Sequence, residues 1–159
     1  MVAGETLKQW AELDMLHVPY KSVPPALNDV LAGCVSMMFA DLTTALPHVR
    51  AGTLRALAVT RLKRSALIPE LPTLDEAGVK GFDMDSWAAI FAPAGTPSDI
   101  IALLNAELRK IIDSPEVKTN LGNAGFEAFS SSPKELEDFA ADQLGKWGTM
   151  IKQAGIQPE

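Results

Sequence analysis

An α/β fold is predicted for this 159-residue chain, and three observations predict it. Residues 17–60 read as strand, turn, helix, strand, helix, strand, with polar residues at each strand exit, the pattern of a parallel-sheet lobe. The last of these strands, 54–60, carries Leu57, Ala58 and Val59 in unbroken apolar order, as strands covered on both faces do. Hydrophobic residues make up 47% of the chain against 21% charged, enough to pack a core. The length is that of one domain.

Taken in order, Met15 to Tyr20 is a short apolar run that meets Pro19, so a strand ends there and Lys21-Ser22 forms the turn. Pro24-Pro25 suit a first helical turn, and Leu27, Val30 and Leu31 keep helical spacing until Gly33. Val35 to Phe39 is the second strand, stopping at Ala40-Asp41. Asp41 or Thr43 then opens a helix over Leu42 to Val49, closed by Ala51-Gly52. Residues 61–74 read as an irregular connection. Thr73-Leu74-Asp75-Glu76 fits a capping box opening a short helix that Gly78 ends. Residues 82–92 read as strand. Thr96 is the expected cap of the next helix, with Pro97 in its first turn and Asp99 favouring its positive end. Ile100, Ile101, Leu104, Leu108, Ile111 and Ile112 give that helix one apolar face. Ser114-Pro115 restarts a helix that Asn123-Ala124-Gly125 stops, and Phe126 to Phe129 form a short strand. Ser132 and Glu135 make a capping box for a long amphipathic helix reaching Gly155, whose Trp147 and Met150 belong to the core.

Several function classes are disfavoured by the same residues. A formal net charge of −6 leaves no basic face for nucleic acid. Arg61, Lys63 and Arg64 form the one local basic cluster and read as a solvated loop. The single cysteine, Cys34, sits in an apolar context and reads as a buried, inert thiol. No apolar run reaches the roughly 18 residues of a membrane span, and the first residues lack a signal-peptide core. A chain expressed as written is therefore expected in the cytoplasm. His17 and His48 lie in or beside apolar segments and read as structural. A hydrolase would have to draw on Ser22, His48 and Asp41, or on Cys34, yet no nucleophile-elbow glycines flank any serine. HExxH, CxxC, GxxxxGK and GxGxxG patterns do not occur, so no metal and no cofactor is expected. The pairs Asp75-Glu76 and Glu137-Asp138 are adjacent in sequence and diverge on a helix, which disfavours paired acid/base work. An enzyme has no positive case here.

A binding site has one. In open α/β sheets ligands sit beyond the carboxyl ends of the strands, where helix N-termini present free N–H groups. Two such places arise. Tyr20, Lys21 and Ser22 follow the first strand and offer a phenol, an ammonium and a hydroxyl to a carboxylate. Ala40, Asp41 and Thr43 follow the second, with backbone N–H groups and a hydroxyl for an anion and a carboxylate for an ammonium or hydroxyl.

The ordered motifs carry a family resemblance. They are Pro19-Tyr20-Lys21, the Pro-Ala-Leu helix with DVLAG, Met37-Met38-Phe39 followed by an acidic residue, ALPHVRAG (45–52), LRALAVT (54–60), PELPTLDEAG (69–78), Ser86-Trp87 and FAPAGTP (91–97). Each is weak alone. Eight in one order resemble the tripartite tricarboxylate transporter substrate-binding family, also called the Bug family of extracytoplasmic solute receptors, over nearly the whole chain.

That resemblance implies a type II periplasmic-binding-protein-like, Venus-flytrap α/β fold with two lobes, of which this chain is a C-terminal part. Residues 1–85 would be a nearly complete second, ligand-binding lobe. Residues 86–159 would be a hinge strand and C-terminal helices of the first. The signal, the early βαβ units and a Gly/Ser-rich loop would be missing. The implied function is non-enzymatic capture of a small carboxylated metabolite for membrane permease subunits, in the periplasm. Tyr20, Lys21, Ser22, Ala40, Asp41 and Thr43 would face the interlobe cleft. Many relatives have glycine where this chain has Ser22, and an Asp-Asn pair where it has Ala40-Asp41. Helices separated from their strands would favour self-association or marginal stability. The alternative is a truncated remnant or interaction module without ligand affinity.

Overall fold

A computed structural model of the chain describes residues 2–155. Its regular elements are six helices: α1 (Val2–Trp10), α2 (Val23–Leu31), α3 (Leu42–Arg50), α4 (Ser98–Asp113), α5 (Pro115–Asn123) and α6 (Pro133–Gln153). Local chemistry accounts for their ends. Ser114 accepts a hydrogen bond from the Val117 N–H at the start of α5, and Ser132 and Glu135 close both bonds of the capping box on α6. Gly52, Gly125 and Gly155 follow α3, α5 and α6 with positive φ, as helix C-termini favour. One expected start shifts. Pro97, not Thr96, is the N-cap of α4; the Thr96 hydroxyl donates to the Pro93 carbonyl and is spent there.

The expected strands do not pair into a sheet. Among the described residues the one β-bridge joins Val59 to Thr73, in parallel, supported by bonds from Val59 N–H to Pro72 O and from Leu74 N–H to Val59 O. Met84 N–H adds a bond to Thr60 O. Segments 14–20, 37–40, 85–92 and 127–130 are non-helical, and no backbone-to-backbone hydrogen bond is made within them among the described residues. A ladder needs a hydrogen-bonding neighbour about 4.8 Å away, and among the described residues these segments make no such bonds. Leu57, expected to be covered on both sides, is 58% exposed. At Thr73 both capping-box bonds form, Glu76 N–H to Thr73 Oγ1 and Thr73 N–H to Glu76 Oε2, but they hold a turn and not a helix.

The core lies where α1 meets α6. Leu7, Phe82, Met84 and Met150 are buried together, with Met15, Phe39, Leu74, Val79 and Trp147 packed around them, so Met150 and Trp147 take the core role expected of them. Trp10 meets Phe82 edge to face at 5.8 Å, and Lys146 of α6 pairs with Asp83. A polar staple adds a second tie between the two halves of the sequence: Glu127 accepts from Arg61 at 3.0 Å, Ser65 Oγ at 2.5 Å and the Ala66 N–H at 3.0 Å. Arg61 is therefore a buttress and not a free loop cation. Cys34 is exposed, contrary to the expected buried thiol, because the Gly33–Ser36 turn carries it off the end of α2. Packing thins out toward α4 and α5, which rest on one another and contain no buried residue. Among the described residues no helix is long and apolar enough to cross a membrane.

Candidate functional site

The two candidate loops sit at the N-termini of α2 and α3, as the sequence predicts, but their chemistry differs. Ser22 is the N-cap of α2 with extended backbone, and its side chain makes no capping bond. Pro24 and Pro25 then occupy the first turn, so two of its residues have no N–H to offer. Tyr20 is committed locally: its hydroxyl donates to Asp29 Oδ2 at 2.6 Å. That bond, with lesser help from burial and the Asp29 charge, raises the phenol above its ordinary pKa. Lys21 and Ser22 are exposed. This loop offers side chains to a ligand and little backbone.

The N-terminus of α3 is the reverse. Asp41 is its N-cap, and its carbonyl accepts from Thr44 and Ala45. The Leu42 and Thr43 N–H groups and the Thr43 hydroxyl have no hydrogen-bond partner among the described residues. Pro47 lies too far along to remove a first-turn donor. The Asp41 carboxylate does not cap the helix, as a merely structural aspartate would; its Oδ1 accepts from Ser86 Oγ at 2.7 Å. The helix end therefore combines free donors and the positive pole of α3 with one oriented carboxylate.

Two residues at this place escaped the sequence reading. Ser86 was visible only as part of the Ser-Trp motif. Gly125 was read as a helix stop, and it is one, with φ +86°. A Cβ there would also lie 2.7 Å from Thr43 N and 2.8 Å from Leu42 C and Thr43 Cα, so the missing side chain lets the α5 exit pass beside the donors of α3. Beyond Ser86, Asp85 lies 3.9 Å from Arg61. Burial raises its pKa, and the Arg61 charge opposes the rise without cancelling it. Burial also pushes Glu127 upward, but the bonds from Ser65 and Arg61 outweigh it and leave Glu127 below its ordinary value.

The hydrolytic constellation does not assemble. Asp41 bonds to Ser86, whereas His48 Nδ1 lies 3.3 Å from Thr53 Oγ1. His17 lies 3.9 Å from Glu5. No cluster of three or more His, Cys, Asp or Glu arranged to hold a metal occurs among the described residues. A cavity of about 690 Å³ lies elsewhere, between segment 87–90, α4, residues 126–131 and α6.

Comparison with known proteins gives a consistent picture. Residues 1–156 match the model of the tripartite tricarboxylate transporter family receptor. A protein encoded in the tcbD-tcbE intergenic region of Pseudomonas sp. strain P51 is 37% identical over 151 residues, covering 94% of this chain and 45% of that relative. A shorter protein from the clcB-clcD intergenic region of Pseudomonas knackmussii is 32% identical, and the match covers 89% of it. Among solved structures, an R. palustris protein with adipate superposes with TM-score 0.87 at 33% identity over 99% of this chain and 53% of its own. The periplasmic binding protein BugD superposes with TM-score 0.81 at 31% identity, covering 99% and 54%. MatC from Rhodopseudomonas palustris with bound malate gives 0.73 at 29% identity, covering 94% and 52%. The chain thus has the fold of about half of a type II periplasmic solute-binding protein, and it spans about half the length of most of these relatives.

Proposed function

The chain belongs to the tripartite tricarboxylate transporter receptor family, matched over residues 1–156, and from that premise we propose that it is the ligand-holding part of a receptor for a small di- or tricarboxylate. The observation that carries this reading is the N-terminus of α3, where the Leu42 and Thr43 N–H groups and the Thr43 hydroxyl have no hydrogen-bond partner among the described residues, beside the positive helix pole. One ligand carboxylate docks there. Asp41, fixed by Ser86, accepts from a ligand hydroxyl or from a protonated second carboxyl. Tyr20, Lys21 and Ser22 form the second wall, and Lys21 supplies the positive charge that the proline-capped α2 terminus lacks. Ala40 sets the approach to Asp41 with a side chain too small to fill it. Capture is binding without chemistry. Adipate and malate in two similar structures are both small dicarboxylates, which supports that ligand class.

Residues 1–85 then act as the binding segment, and 86–159 carry the hinge and the helices of the other lobe. The ends of these spans, Met1 and 156–159, lie outside the described residues. In this reading the whole receptor works in the periplasm and hands its ligand to membrane permease subunits. Isothermal titration with malate, adipate and citrate tests the proposal, on the chain alone and on the chain joined to the remainder of the strain P51 relative. Binding that is lost in Asp41→Ala and weakened in Lys21→Ala is expected. Failure of every carboxylate with both proteins would sink it. A second reading, an interaction module that binds no ligand and self-associates, is favoured by the absence of buried residues from α4 and α5. It predicts silent titrations and a dimer in sedimentation.

A further inference from the structure

The segment that leaves the core changes character between Met84 and Asp85. Phe82 and Met84 are buried. Met84 N–H bonds to Thr60 O at 2.7 Å, and Asp83 accepts from the Leu62 N–H at 3.2 Å and pairs with Lys146 of α6. From there on, residues 85–92 make no backbone-to-backbone hydrogen bond among the described residues. Asp85 and Ser86 are exposed, and their side chains are what hold them. Asp85 lies 3.9 Å from the Arg61 guanidinium, and Ser86 Oγ donates to Asp41 Oδ1 at 2.7 Å.

These two attachments end on different kinds of partner. Arg61 also pairs with Glu127 at 3.0 Å, and each keeps under a third of its side chain in solvent. Glu127 is held in turn by the Ser65 hydroxyl and the Ala66 N–H. The cation is therefore stationary, and Asp85 is the partner that can move. At the other end Asp41 makes no capping bond and enters no ion pair among the described residues. Its orientation depends on Ser86.

The charges around Asp85 come from several elements. Asp83 lies on its own segment, Arg61 on the 61–66 connection, Glu127 after α5, and Lys146 on α6, where it pairs with Asp83; Asp41 stands at α3 beyond Ser86. With Asp83, Asp85 and Glu127 ionised against Arg61 and Lys146, three negative charges face two positive ones, and a proton on Asp85 balances them. Burial raises the pKa of Asp85; Arg61 and then the Ser86 N–H oppose the rise, and the Glu127 and Asp83 charges add to it. As pH falls, Asp85 thus takes up its proton before an ordinary aspartate does. An ionised carboxylate accepts an N–H roughly twice as strongly as a neutral one. Protonation therefore slackens the hold on the Ser86 N–H and the attraction to Arg61 together.

We propose that Asp85 is a proton-responsive positioning residue for the α3 terminus: its charge holds Ser86 in place against Arg61, Ser86 holds the Asp41 carboxylate, and protonation of Asp85 releases both. In the receptor reading, mild acidity then loosens the carboxylate that meets the ligand. The relay itself stands on contacts within this chain, and its test uses no ligand.

NMR titration of the chain from about pH 7 to about pH 4 provides that test. The Asp85 carboxyl carbon is expected to titrate above the ordinary aspartate value, and the Leu42 and Thr43 amides to shift with the same midpoint. Asp85→Asn should abolish that shift. Ser86→Ala should abolish it too while the Asp85 carboxyl still titrates, and Ser86→Thr, which keeps the hydroxyl, should retain it. Asp41→Asn keeps an acceptor oxygen but has no proton of its own to lose, so the shift should persist there. The amide of Met84, buried in the core, reports that the fold is intact at each pH. A shift at Leu42 and Thr43 that survives Asp85→Asn or Ser86→Ala overturns the relay. So does a flat response at those amides while Asp85 titrates, or loss of the shift in Asp41→Asn, which would assign it to the proton of Asp41.

Discussion

Gly125 holds the candidate site by what it lacks. An alanine there must adopt φ near +86° and push its Cβ into the backbone of Leu42 and Thr43, and backbone has no rotamer with which to yield. Gly125→Ala is expected to cost roughly 3 kcal/mol, from the left-handed strain plus displacement of the α3 start. Urea denaturation checks the cost, and weakened carboxylate binding checks the displacement. Thr6 makes the opposite case. It is 3% exposed, and its hydroxyl has no partner. Replacing it by valine keeps the shape and removes an unpaired polar atom, so Thr6→Val should raise stability by about 1 kcal/mol. The places of Ser22, Asp41 and Thr43 at helix starts were legible because each carries its own local signal. Ser86 and Gly125 were not, since Ser86 meets Asp41 from 45 positions away and Gly125 touches Thr43 only through the tertiary fold. The same distance hid the Glu127 staple, whose partners Arg61 and Ser65 lie 66 and 62 positions off.

Helices in this chain are decided locally, and their ends were therefore readable. The capping box of Ser132 and Glu135 was recognised from four residues and forms with both bonds. Ser132→Ala should cost about 1 kcal/mol and fray the first turn of α6, seen as early exchange of the Glu135 amide. An identical pair of bonds at Thr73 and Glu76 produces only a turn. A cap satisfies orphan donors but does not supply a body: Gly78 follows within five residues, and Glu76 is shared with Arg64. Strands depend on neighbours that sequence periodicity cannot name. Residues 54–60 have the composition of a central strand, yet only Val59 and Thr60 find backbone partners beyond the helices. The α/β class was legible through the order of its motifs and is carried by similarity to solved receptors. The pairing was not, because it rests on contacts between segments.

For the molecule as a whole, the ionisable groups set a direction for acid stability. Glu127, Asp75, Glu76, Asp113 and Glu135 all titrate below their ordinary values in the fold. Hydrogen bonds from Gly81, Thr73, Ser130 and Ser132 dominate in the last four. For Glu127, burial works the other way and is outweighed by Ser65 and Arg61. A carboxylate lowered in the folded state contributes stability above its unfolded pKa, and that contribution is lost as pH falls through the folded value. Asp85 has the opposite sign: its raised pKa costs stability as pH rises past the unfolded value. Five lowered groups against one raised group make the net slope positive, so the urea midpoint should fall as pH drops from about 5 to about 3. The exposed members of the set are screened by salt. Glu127 is not equally screened, since it and Arg61 each keep under a third of their side chains in solvent. Glu127→Gln should therefore lower the unfolding free energy at pH 7 by about 2 kcal/mol, as a part-buried cluster that loses its charge, and should flatten the acid limb. An acid limb of unchanged steepness, measured in about 0.5 M salt to silence the exposed pairs, would mean that the staple between residues 61–66 and Glu127 does not hold the two halves of the sequence together.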